Sequence, residues 1–152
     1  MSFRIKGLPA EPFADLFSLS DEALKARGAV RQIADHGSPC RVSLTDAEPG
    51  QEVVLVNFEH QPAHSPYRSR FAIYVREGET TYDEVDQVPE QLRKRMLSVR
   101  AFDRDGMMVD TDLVDGRALE PVIERIFGDE RADYIQLHYA RPGCYAARVE
   151  RA

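Results

Sequence analysis

Asp103-Arg104-Asp105-Gly106 lies between two stretches that alternate apolar and polar residues, and few other folds suit such a pattern. Gly106 can adopt the left-handed backbone that ends a type I turn with a G1 bulge. The chain must then double back on itself as an antiparallel hairpin. Pairing Asp103 with Met107 sets Arg100 opposite Asp110 and Val99 opposite Thr111. That register puts Leu97, Val99, Ala101, Val109 and Leu113 on the buried face and makes Arg100–Asp110 a cross-strand ion pair.

Other strands follow from the same period of two. Phe3 to Ile5 reads as a short strand, as do Ala29 to Ala34, Glu52 to Phe58 and Phe71 to Arg76. In the third of these, Val54, Val56, Phe58 and His60 share one face while Val53 and Leu55 share the other. Apolar residues on both faces predict a central strand. Tyr134 to Tyr139 and Cys144 to Glu150 form a second hairpin across Arg141-Pro142-Gly143. The stretch Glu77 to Asp86 carries five acids and no base, and is read as a solvent loop.

Helices are short. Phe13, Leu16 and Phe17 make a single turn, and Ser20 ahead of Asp21 and Glu22 caps a helix that Gly28 closes. Leu119, Val122, Ile123 and Ile126 form an apolar stripe within Gly116 to Phe127, with regular helix from about Glu120 because Pro121 disfavours an interior position. The expected fold class is α+β, a mainly antiparallel sheet with two or three short helices packed on one side, in a single domain over 1–152.

Composition narrows the function. The 152 residues carry 26 acids against 20 bases, a net charge of -6, which argues against a nucleic-acid partner. The longest aliphatic run, Val53 to Val56, is too short for a membrane span. The first residues lack the apolar stretch of a signal peptide, so a cytoplasmic location is expected, with Cys40 and Cys144 reduced.

No motif names a reaction or decides whether the chain is an enzyme, and none calls for a cofactor. Calcium is disfavoured because Gly106 follows Asp105 directly, out of step with an EF-hand loop. The loop Ser65-Pro66-Tyr67-Arg68 is stiffened by prolines between two apolar strands, the kind of place where binding residues sit. The leading hypothesis is a polar pocket at strand ends that holds a small anionic ligand. Arg41, Tyr67, Arg68 and Arg148 would orient the ligand. His60 would be the catalytic acid or base, its unperturbed pKa being nearest neutrality. Two alternatives stand beside it. One is a non-catalytic homodimeric interaction domain. The other is a metal site in which His60 and His64 join Cys144, Cys40 or His138, although Pro62 and Pro66 remove the helix that would align the two imidazoles. Each cysteine is either a reactive thiol or a small buried hydrophobe. Cys144 falls on the Leu137–Tyr139 face or the His138 face according to register.

Pro39-Cys40-Arg41, Glu59-His60-Gln61-Pro62, Ser65-Pro66-Tyr67-Arg68, Arg100-Ala101-Phe102-Asp103, Gly106-Met107-Met108 and Gly143-Cys144-Tyr145-Ala146-Ala147-Arg148-Val149 together resemble an uncharacterised bacterial family, domain of unknown function 1203. The likeness runs over nearly the whole chain, with a departure at Phe71-Ala72-Ile73 from the family's Gly-Pro-Ile. It implies a small single-domain bacterial protein and brings no activity, cofactor or catalytic residue.

Overall fold

A computed structural model describes all 152 residues. Nine strands form two antiparallel sheets: β1 (Phe3–Lys6), β2 (Ala29–Ile33), β3 (Glu52–Gln61), β4 (Ser69–Val75), β5 (Asp83–Val85), β6 (Met96–Phe102), β7 (Met108–Asp115), β8 (Tyr134–Tyr139) and β9 (Tyr145–Arg151). The larger sheet has the order β5-β1-β9-β8-β6-β7, and the smaller has the order β2-β3-β4. The helices are α1 (Asp21–Ala26), α2 (Glu90–Arg93) and α3 (Leu119–Phe127). The α+β class read from the sequence is thus found, with the strands divided between two sheets. β3 is central in its sheet, as apolar residues on both its faces require.

The local signals hold. The Ser20 hydroxyl accepts the Ala23 N–H at the start of α1, and Gly28 follows that helix with φ of 66°. Pro121 lies in the first turn of α3, where its missing N–H has no partner to lose. Ile123 and Ile126 of α3 are buried with Leu97, Val99, Leu137 and Val149 in the main core. A second core joins Val54, Val56, Ile73 and Val75 of the small sheet to Phe13, Leu16, Leu24 and Tyr145. Tyr145 belongs to the large sheet, so its ring is one of the places where the two sheets meet.

Two sequence expectations need correction. The β6–β7 hairpin turns at Gly106, but Ala101 pairs with Asp110 and Phe102 with Met108, so Val109 is an extra residue. Beyond this bulge the register is one residue from that expected. Arg100 lies opposite Thr111, and Leu113 is exposed. The bulge turns Asp110 and Asp112 towards α3, where both carboxylates accept from Arg125 at 2.8 and 2.9 Å. Arg100 donates instead to Ser98 Oγ. Nor is Glu77 to Asp86 wholly a solvent loop. β5 within it pairs with β1, and the nearly buried Glu79 carboxylate accepts from Ser43 and Arg76.

Gly106 has a φ of 76°, and a Cβ built there would lie 2.3 Å from the Ala63 side chain. The turn is also held to the proline loop by Ser65 Oγ donating to the Gly106 carbonyl at 2.9 Å. A side chain at 106 meets both an unfavourable backbone and a steric clash. Gly106→Ala is therefore expected to destabilise the protein by roughly 1–3 kcal/mol, read as a lower urea midpoint at unchanged m-value. An unchanged midpoint would show that the turn tolerates displacement from the loop.

Candidate functional site

The segment from Ser38 to Ser43 runs between the two sheets. Cys40 makes a parallel bridge to Tyr74 of β4, the Arg41 N–H donates to the Tyr74 carbonyl, and the Arg41 carbonyl accepts from Leu8. This anchoring drives the Arg41 side chain inward, where the residue is only 1% exposed. Its Nε donates to the Tyr145 carbonyl at 2.7 Å, Nη2 to Cys144 Sγ at 2.9 Å, and Nη1 to the Pro39 carbonyl. The guanidinium carbon also lies 5.1 Å from the centre of the Tyr139 ring. No carboxylate forms an ion pair with Arg41. An arginine has five N–H donors, so two remain after these three bonds.

Arg41 and Cys144 line a cavity of about 660 Å³. Leu55, Phe71, Ala72 and Tyr74 contribute an apolar wall from the small sheet, and Met96 and Tyr139 another from the large one. Arg95 and Arg141 supply its remaining charges, and no Asp or Glu lines it. Arg95 is paired with Asp46 at 2.9 Å and lies 5.1 Å from the Tyr139 ring centre. The Tyr139 hydroxyl donates to Gln91 Oε1 at 2.6 Å, and burial raises its pKa, so the ring is a neutral wall. Cys40 behind it is fully buried, and burial, with Glu79 adding to it, pushes its thiol up to about 12. It behaves as a small hydrophobe. Cys144 packs with Leu137 and Tyr139, on the first of its two alternative faces, and is 8% exposed.

The other sequence candidates lie elsewhere. His60, Tyr67, Arg68 and Arg148 do not line the cavity. Arg148 belongs to the polar face of the large sheet around Gln136, and His60, near the end of β3 in the small sheet, meets that face. The Gln136 amide donates to the His60 carbonyl at 2.9 Å, while its Oε1 lies 3.1 Å from His60 Nδ1 and 3.3 Å from His138 Nε2. Arg148 pairs in register with Gln136, covers the Tyr134 ring at 4.0 Å and bonds Glu150. Tyr67 meets Phe102 edge-on at 6.0 Å. Arg68, its side chain 56% exposed, bonds the Glu59 carboxylate. The metal alternative is not found. His64 is exposed, Cys144 is engaged by Arg41, and no three His, Cys, Asp or Glu side chains group to hold an ion.

Tyr145 joins the two regions. Its ring stacks on His60 at 5.6 Å and meets His138 edge-on at 5.9 Å, while its carbonyl accepts from Arg41. His138, 1% exposed, has Nδ1 3.0 Å from the Gly143 carbonyl, which can only accept. Its Nε2 faces the Gln136 Oε1, likewise an acceptor, so the single proton of the neutral ring can serve only one of the two. Gln136, Tyr139, Arg95 and Arg141 were not singled out as binding residues in the sequence, and His138 only as a possible metal ligand. The available signal was Arg141-Pro142-Gly143-Cys144, a hairpin turn with a cation and a thiol at its ends.

Residues 37–151 match the family model described as Protein of unknown function (DUF1203). The chain belongs to this family. Every residue lining the cavity, from Gly37 to Cys144, falls inside the matched span. No curated protein and no solved structure matches the chain. No helix is long and apolar enough to cross a membrane.

Burial holds the His138 pKa down to about 3, further lowered by Arg100 and His60 and opposed by the Gly143 carbonyl. Below pH 6.5 the unfolded chain takes up this proton while the folded one does not, so acid favours unfolding through this residue. As pH falls from 6.5 towards 3, His138 is expected to remove stability at up to about 1.4 kcal/mol per pH unit. Chemical denaturation at several pH values should therefore show a shallower acid decline for His138→Gln than for the unsubstituted protein. Parallel curves would place the acid sensitivity elsewhere.

Proposed function

We propose that the protein binds a small organic anion, a carboxylate with an apolar body, in the cavity between its two sheets. The observation that carries this reading is Arg41: a buried guanidinium in the cavity wall with no carboxylate partner and with N–H donors to spare. Burying a cation without an anion costs several kcal/mol unless its surroundings compensate. Two carbonyls, a sulfur and an aromatic ring compensate in part, and a bound anion would complete the set. Charge of one sign at the basic end selects for anions, which this acidic chain would otherwise repel. The apolar walls suit a hydrocarbon or ring, and the volume lies within the ordinary range for small-molecule sites. Arg41 is the residue shared with the sequence reading, and it takes the orienting role in the proposal.

Benzoate and its neutral isostere benzamide provide the test. Benzoate is expected to raise the melting temperature with the logarithm of its concentration above Kd, by the equivalent of about 2.7 kcal/mol at one hundred times its Kd, while benzamide does much less. Arg41→Gln should abolish the difference between the two. Equal shifts from both compounds, or none from benzoate and a panel of larger carboxylates, would reject an anion site.

A further inference from the structure

The thiol of Cys144 shares the cavity wall with Arg41 and touches its guanidinium at 2.9 Å. The Cys144 carbonyl accepts the Tyr139 N–H at 2.9 Å and the Gly143 N–H donates to the Tyr139 carbonyl at 2.8 Å, so the backbone that carries the thiol is held on both sides. A carboxylate bound by the remaining Arg41 N–H groups therefore places its first carbons next to a fixed sulfur. We propose that Cys144 is the nucleophile of this site, and that it acts on carboxylates carrying an electrophilic carbon one or two bonds from the carboxyl group. The inference rests on the anion site proposed above and deepens it by naming the reacting atom and the substrate class.

The chemistry balances without a co-reactant. With an α,β-unsaturated acid, sulfur bonds to the β-carbon, the carbon–carbon π bond is spent, and the thiol proton ends on the α-carbon. With an α-halogenated acid, the sulfur–carbon bond forms as the carbon–halogen bond breaks. Halide leaves with the electron pair, and the thiol proton passes to solvent. In both cases Arg41 binds the carboxylate and positions it, and Cys144 alone makes the bond. Cys40 is an internal control: fully buried, outside the cavity lining and with a strongly raised thiol pKa.

Iodoacetate and iodoacetamide differ in charge and deliver similar small groups to sulfur. Peptide mapping of the intact protein is expected to find carboxymethylation on Cys144 and not on Cys40. The iodoacetate-to-iodoacetamide rate ratio at Cys144 should exceed that of free cysteine by about tenfold or more, the lower end of the gain from a cleft of one charge sign. Arg41→Gln should return the ratio to that of free cysteine. In case that variant folds poorly, benzoate protection is measured on the unsubstituted protein and should slow carboxymethylation severalfold. If benzoate stabilises the protein but Cys144 stays unmodified, or reacts with no preference for iodoacetate, the nucleophile assignment is overturned and the anion site stands. If benzoate neither stabilises nor protects, both fall.

Discussion

The interior of this protein is organised around one buried cation. Arg41 binds the backbone of the segment that carries it, through Pro39, and the backbone of the large sheet, through Tyr145, while its own main chain is tied to β4. Hydrogen bonds from a charged donor are among the stronger ones in a protein interior. Removing the side chain would leave buried carbonyls without a donor as well as an unfilled volume. The same bonds hold the hairpin turn at Cys144 against the entering segment, and the space left beside them is the cavity.

Tyr145 relays that arrangement to the opposite side. Its carbonyl faces the guanidinium and its ring faces the two imidazoles, so the polar face around Gln136 and the basic end of the cavity are positioned by one residue. The two regions differ in chemistry. Around Gln136 the polar groups largely satisfy one another, and burial lowers the pKa of both His60 and His138. Such a cluster stabilises contact between the sheets while its rings stay neutral. In the cavity, by contrast, a cation keeps unused donors.

Much of the fold was legible from local pattern. The strands, the capped α1, the apolar stripe of α3 and the turn at Gly106 all follow from rules that act over a few residues. The errors came where a distant partner intervened. Nothing around Asp103 shows that Arg125 will attract Asp110 and Asp112, and that pairing accompanies the bulge and the shifted register of β7. β5 was hidden among acids because its pairing partner, β1, lies far away in sequence, at Phe3–Lys6. Among the candidate site residues, Arg41 was visible by type and neighbourhood, whereas His60, Tyr67, Arg68 and Arg148 suggested a grouping that the cavity lining does not contain.

Sequence by itself determined the α+β class and the centrality of β3, because periodicity, capping and turn chemistry are local properties. Tertiary structure alone decided which polar side chains share a space. The contacts that define the cavity's basic end join Arg41 to residues more than a hundred positions away. Such pairings depend on how two sheets close over each other, and an arginine that will be buried without a carboxylate looks, in the sequence, like any other.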